Sequence, residues 1–287
     1  MTPPLLAPVR LGERTLSFGE RFYVMGILNV TPDSFSDGGL FHHAQAAIDH
    51  GLSMVEQGAD ILDIGGESTR PGAASVSVEE ELDRVIPVIE ALASQTDTII
   101  SIDTTKARVA EEAAKAGATI INDISGLGFD EAMAGVVAST GAALVLMHIR
   151  GTPETMQKDI RYDDVVVDIL AYFEERIRMA EAAGVARTQI IVDPGIGFGK
   201  TVAQNYRLLR ELNRFTTLGQ PILLGTSRKS FLGAVVDKPA RERIFATAAT
   251  VACGLMAGAD IVRVHDVAEM VDVARVVEAI AVPTRTA

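Results

Sequence analysis

"TIISID" at 98–103, "TTKARVAEEAAKAG" at 104–117 and "ATIINDI" at 118–124 form one unit of strand, helix and strand. Both outer pieces are rich in isoleucine and lack polar alternation, as strands buried on both faces do. The piece between them has an amphipathic helical pattern, and Gly117 stands where a helix C-terminal cap feeds the next strand. Each strand ends on a polar group, Asp103 in one and Asn122 in the other.

The same rhythm runs outward in both directions. Apolar runs recur as "FYVMGILNV" (22–30), "ADILDIGG" (59–66), "TIISID", "ATIINDI", "AALVLMH" (142–148), "QIIVDP" (189–194), "PILLGTS" (221–227) and "ADIVRVHD" (259–266). Helical segments are expected near 43–58, 78–94, 105–116, 130–140, 162–184, 202–213, 240–257 and 267–281. Eight strand–helix units without an obvious linker predict a (β/α)8 TIM barrel, one domain over residues 1–287. A doubly wound sheet would show a dinucleotide fingerprint and fewer strands. "VRLGERTLSF" (9–18) predicts an N-terminal β-hairpin around Gly12-Glu13 that closes the barrel bottom, and the terminal "PTRTA" is expected to fray.

Composition agrees. Apolar residues make up 48%, aromatics only 5%, and tryptophan is absent. A net charge of -12 argues against a nucleic-acid partner, which calls for basic excess. Cys253 is the single cysteine, so no internal disulfide can form, and its apolar setting suggests a buried thiol. The longest apolar run, 251–259, is too short to span a bilayer, and the chain does not open on a signal peptide, so a cytoplasmic, soluble protein is expected.

In such barrels the chemistry sits at the C-terminal ends of the strands. Those ends carry Asn29, Asp63, Asp103, Asn122, Met147-His148, Asp193, Ser227-Arg228-Lys229 and Arg263-Val264-His265. One polar strand end is often a helix cap; a full ring of them is harder to explain that way. Asp103, Asp193 and Asn122 suit a flat heterocycle with amidine-like donors. Lys229, Arg263, His265 and Asn29 suit a phosphate-like anion. "DPGIGFGKT" (193–201) imitates a phosphate loop, but the Walker spacing demands glycine where Pro194 stands. His42, His43 and His148 lack metal-ligand spacing; the first two read as solvated residues at a helix start and His148 as structural. The stretch 25–39, "MGILNVTPDSFSDGG", ends a strand in Asn29 and continues into a polar loop with one aromatic, Phe35.

"GILNVTPDSFSDGG", "DIGGESTRPGA", "SIDTTK", "INDISG", "MHIRGTP", "DPGIGFGK", "GTSRKSFLG" and "RVHDV" together resemble the dihydropteroate synthase family, from about Phe22 to Asp266. The resemblance implies a transferase and sulfonamide target of folate biosynthesis. Such enzymes join 6-hydroxymethyl-7,8-dihydropterin diphosphate to 4-aminobenzoate, giving 7,8-dihydropteroate and diphosphate. It also implies Mg²⁺ and a homodimer. Carried over by position, Asp103, Asn122, Met147, Asp193, Lys229 and Arg263 would bind the pterin, with Asp103 and Lys229 catalytic. Asn29, Thr69, Arg263 and His265 would take the diphosphate, Asn29 also contacting the metal. Thr69, Arg70, Pro71, Phe198, Lys229 and Ser230 would surround 4-aminobenzoate, and Phe35 would belong to a lid. A pterin-dependent methyltransferase shares the Asp103–Asn122–Asp193 set but has no need of "SRKS", "RVH" or the loop after Asn29. A catalytically silent barrel is the remaining reading, and no matched functional position is replaced in a way that supports it.

Overall fold

The computed structural model describes residues 6–31, 40–70, 72–73 and 75–281. A hairpin, β1 (Val9–Leu11) and β2 (Arg14–Leu16), comes first, turning through Gly12 at φ +61°. Then follow β3 (Tyr23–Asn29), α1 (Leu40–Glu56), β4 (Ile61–Gly65), α2 (Val78–Gln95), β5 (Ile99–Asp103), α3 (Ala107–Ala116), β6 (Ile120–Asp123) and α4 (Met133–Thr140). The second half holds β7 (Ala143–Met147), α5 (Val165–Ala182), β8 (Ile190–Asp193), α6 (Val202–Arg210), β9 (Leu223–Leu224), α7 (Ser230–Val236), α8 (Ile244–Met256), β10 (Ile261–Val264) and α9 (Val267–Ala281). Eight strands pair in parallel in the order β8-β7-β6-β5-β4-β3-β10-β9. A bridge between Val192 and Ile222 brings the two ends of that order together, so the sheet curls into the expected (β/α)8 barrel.

Two periodicities fill the barrel. Outward residues such as Leu28, Leu62, Ile64, Ile102, Leu144 and Val262 join the apolar faces of the helices in one cluster. Inward residues alternate with them, as the pleat requires. Low in the lumen these are Met25, Ile61, Ile99, Ile120, Val145, Ile191, Leu223 and Ile261, which pack on Val9, Leu11, Leu16 and Phe18 of the hairpin segment. The hairpin is therefore a plug for the lower mouth. Helix starts are fixed locally: Ser77 caps α2 by accepting from the Glu80 N–H at 3.1 Å, and Thr201 and Gln204 form a reciprocal capping box on α6.

Several local expectations change. The segment expected as helix to residue 213 leaves α-geometry after Arg210 and continues as a tighter turn over Leu212–Leu218. α7 has no counterpart in the sequence pattern: it is short and contains Gly233, and burial of Phe231 and Leu232 holds it. Cys253 is exposed rather than buried. α8 buries Thr247, Thr250, Val251, Gly254 and Leu255, which turns Cys253 outward despite its apolar neighbours. His43 lies within α1 and its Nδ1 is buried, not solvated. The side chain of His42 and the terminal "PTRTA" lie outside the described residues.

Candidate active site

The strand register lifts the polar residues to one level. Asn29 pairs with Gly65, Gly65 with Asp103, Asp103 with Asn122, and Met147 with Asp193. At Gly65 a side chain would stand 3.5 Å from the Asp103 Cβ, so glycine leaves that space open beside the acid.

One guanidinium organises the acids. Arg263 Nε donates to Asp63 Oδ2 at 2.6 Å and Nη2 donates to Asp103 Oδ2 at 2.7 Å. Asn122 Nδ2 donates to the same Asp63 oxygen at 3.0 Å. Asp63 is fully buried, and its second oxygen has no hydrogen-bond partner among the described residues. Two carboxylates thus share one cation. Burial pushes Asp103 up to about 7; Arg263 opposes that rise and Asp63 adds to it. Burial acts to lower Arg263, but Asp63 and Asp103 outweigh it and hold the guanidinium above its ordinary value.

Opposite stand Asp193 and Lys229. Burial lowers Lys229 to about 8 against the pull of Asp193, with Arg263 adding to the fall. Its Nζ donates to the Ile196 carbonyl at 2.5 Å and lies 4.7 Å from the centre of the Phe198 ring. Gly225 lies among all three groups: a Cβ there would make ordinary contact with Lys229 Nζ at 3.7 Å, Arg263 Cβ at 3.9 Å and Asp193 Oδ2 at 4.0 Å. Met147 packs with Ile124, Ile149 and Met156, and Phe198 leans on that cluster, giving the mouth a flat apolar wall.

His265 differs from the expectation that it is a cation. Its Nδ1 lies 2.9 Å from Ser227 Oγ, and burial, with Arg228 and Arg263 nearby, lowers it to about 3. It is a neutral imidazole at pH 7, ready to donate or accept but carrying no charge. Arg228 beside it adopts φ +58° and is held by an ion pair with Asp266. Ser230 is exposed at the first turn of α7. Thr69 lines a cavity of about 290 Å³ together with Asp103, Thr104, Lys106 and Phe129, while Arg70 is exposed. Phe35 and Pro71 lie outside the described residues. A cavity of about 350 Å³ sits far from these acids, between the start of β3 and α9, where Arg21 already pairs with Asp60.

Two groups escape a reading of the sequence. Asp63 stands there only as one strand end, yet it fixes both Arg263 and Asn122; the signal is a carboxylate two residues before "GG" on an otherwise apolar strand. Lys200 is buried and its Nζ meets His148 Nδ1 at 2.8 Å, the His148 carbonyl at 2.9 Å and the Gly195 carbonyl at 2.8 Å. Burial drives both Lys200 and His148 down, Lys200 also feeling Lys229. The pair laces the loop after β7 to the loop after β8, which bears out His148 as structural.

A barrel whose mouth presents paired acids, an amide, a lysine and an apolar wall defines an enzyme that holds a flat, donor-rich heterocycle in its lumen. The family model described as pterin binding enzyme matches residues 25–265. A dihydropteroate synthase from Synechocystis sp. is 50% identical over 274 residues, covering 95% of each chain. The structure of the Yersinia pestis dihydropteroate synthase with a sulfonamide drug complex superposes with a TM-score of 0.90 at 46% identity, covering 96% of this chain and 99% of that one. The Xanthomonas albilineans enzyme with 4-aminobenzoic acid gives a TM-score of 0.90 at 44% identity, with the same coverage. The chain belongs to the dihydropteroate synthase family.

Proposed function

We propose that this chain condenses 6-hydroxymethyl-7,8-dihydropterin diphosphate with 4-aminobenzoate, giving 7,8-dihydropteroate and diphosphate. The observation that carries this reading is the pair Asp63–Asp103 on Arg263, facing Asp193 and Lys229 across the mouth. Asp103, Asn122 and Asp193 match the amino group and ring nitrogens of a pterin edge, which carboxylates accept well. Lys229 offers its ammonium to the ring carbonyl, and Met147 packs on the ring face.

Chemistry follows from charge. The carbon–oxygen bond to diphosphate breaks, its electron pair leaving with the phosphate oxygen. The electron-rich dihydropterin spreads the resulting positive charge, and Asp103 beside it, whose ionised form that charge favours, stabilises it electrostatically. The arylamine lone pair then forms the carbon–nitrogen bond, and the proton lost from nitrogen goes to diphosphate or water. An arylamine is neutral at pH 7, so no strong base is required. Neutral His265 and Arg263 receive the diphosphate, with Thr69; binding that anion would favour the charged imidazole. Thr69, Arg70, Phe198, Lys229 and Ser230 border the second substrate.

Mg²⁺ belongs to this reading as a companion of the diphosphate. Among the described residues no three His, Cys, Asp or Glu side chains gather as a metal cage, so the residues fit an ion held largely by phosphate oxygens. Asn29, at the end of β3, would offer a hard amide oxygen to it, and the ion would neutralise charge on the leaving group. The exposed apolar residues of α8, Phe245 at 82% and Met256 at 58%, support a homodimer through that helix. No described helix is long and apolar enough to cross a membrane, and a cytoplasmic site of action accompanies the proposed chemistry. The test is diphosphate release from the dihydropterin substrate with and without 4-aminobenzoate. Release that depends on the arylamine is expected; release indifferent to it, or none, would remove the synthase reading.

A further inference from the structure

The loop after β4 is fastened at its base by one carboxylate. Glu67 Oε1 accepts from the backbone N–H of Val76 at 3.2 Å, joining the outgoing limb of the loop to the returning one. Glu67 Oε2 accepts from Lys106 Nζ at 2.6 Å. Lys106 also donates to Glu81 Oε2 of α2 at 2.5 Å, and Glu81 is fully buried. Lys106 is itself fixed on the rim: its N–H donates to Thr104 Oγ1 at 3.2 Å, and the next residue donates to Asp130 Oδ2 at 2.8 Å. Just before Glu67, the Gly66 carbonyl accepts from Arg84 Nη1 at 2.6 Å. Beyond this clasp, Gly72 N–H reaches the Pro153 carbonyl at a longer 3.3 Å. Glu67, Thr69, Asp103 and Lys106 line the same cavity.

We propose that Glu67 and Lys106 are positioning residues for the second substrate, setting where the loop bearing Thr69 and Arg70 stands relative to Asp103. The proposal rests on the role given to that loop under Proposed function. Its geometry is direct: Lys106 lies on the same strand exit as Asp103, and Glu67 is the first charged residue of the loop. The two partners of Lys106 are not equivalent. Glu81 is buried, so removing Lys106 leaves an unpaired interior charge and threatens folding. Removing Glu67 leaves the Lys106–Glu81 pair intact, which makes Glu67 the informative position.

The experiment is steady-state kinetics on Glu67→Ala, Glu67→Gln and Arg70→Ala, each checked by thermal unfolding. Glu67→Ala is expected to raise KM for 4-aminobenzoate by about tenfold or more, in the usual range of site coupling, while KM for the dihydropterin diphosphate moves by less than about twofold. Glu67→Gln, which keeps an acceptor oxygen, is expected to recover most of that loss. If Glu67→Ala lowers the folded fraction, Glu67→Asp serves instead: it keeps the charge, withdraws it by one methylene, and must give the same split. An unchanged KM for 4-aminobenzoate in a folded variant, or an equal rise for both substrates, overturns the proposal. If Arg70→Ala raises that KM and Glu67→Ala does not, the clasp is wrong and the role of the loop stands. If neither raises it, both fall.

Discussion

Each barrel strand passes through two environments within a few residues. On β5 the inward side chains, read upward, are Ile99, Ser101 and Asp103; on β4 they are Ile61 and Asp63. The lower lumen is apolar and sealed by Leu16 and Phe18 of the hairpin segment, whereas the upper lumen gathers three acids around Arg263 and Lys229. Burial is comparable in both: Ile61 and Asp63 are each fully buried. Its consequences have opposite sign. Below, removing apolar surface from water stabilises the fold. Above, removing charge from water costs stability and is tolerated because the partners are placed for a ligand. The lower end holds the barrel closed; the upper end uses that rigidity to keep charges where a solvated surface would not.

The widest split should come from Asp103→Asn. Loss of one member of a buried charged set is expected to cost about 2–5 kcal/mol of transition-state or binding energy, with little loss of fold. Turnover and pterin affinity near the parent values would refute the assignment. Leu16→Ala should do the reverse. A fully buried leucine replaced by alanine costs about 2–5 kcal/mol of stability, and kcat/KM per folded molecule should hold; chemical denaturation beside a kinetic assay separates the two. A Leu16→Ala protein that is fully stable would mean the hairpin is not a plug.

Lys229→Arg should fall between them, at about tenfold loss or more in kcat/KM, because a planar fork does not replace a compact ammonium at one carbonyl. Full activity with arginine would show that charge alone matters there. The last contrast is a pH dependence, read on stability rather than on rate. Asp103 is raised to about 7 in the folded chain, mainly by burial, from an ordinary value of 3.8. A folded carboxyl that binds its proton more tightly than the unfolded one loses stabilising influence as pH rises between those values. Relative to parent, Asp103→Asn should therefore gain stability from pH 4 to 7 and then level off, while Leu16→Ala shows a constant deficit. Parallel curves for both variants would place Asp103 in an ordinary, solvated setting.

Much of this contrast is readable in the residues. Eight isoleucine- and valine-rich runs mark the strands because inner and outer faces of a barrel are both apolar, and the polar rim follows from where each run stops. Met147, Asp193, Lys229 and Arg263 are identified by place. What escapes depends on distance across the lumen. Nothing local in "ADILDIGG" says that Asp63 will meet Arg263, 200 positions later. Nothing in "RVHDV" says that burial will keep His265 neutral. Cys253 defeats the pattern because a helix of uniform apolar character gives no phase. α7 does so because its stability comes from the pocket that receives Phe231.

Backbone freedom in "DPGIGFGK" is turned to an unusual end. Gly195, Gly197 and Gly199 all take positive φ, at +68°, +86° and +70°. At Gly195 a Cβ would strike the His148 carbonyl at 1.9 Å. A phosphate loop uses such freedom to aim amide hydrogens at an anion. Here the turn works in both directions: the carbonyls of Gly195 and Ile196 receive the amines of Lys200 and Lys229, while the Gly195 N–H donates to Asp193 Oδ1 at 2.7 Å. The turn is a socket for two lysine amines, with its carbonyls doing the work that amide hydrogens do in a phosphate loop. Glycine spacing alone cannot tell the two apart; what separates them is which end of the peptide dipole faces the guest.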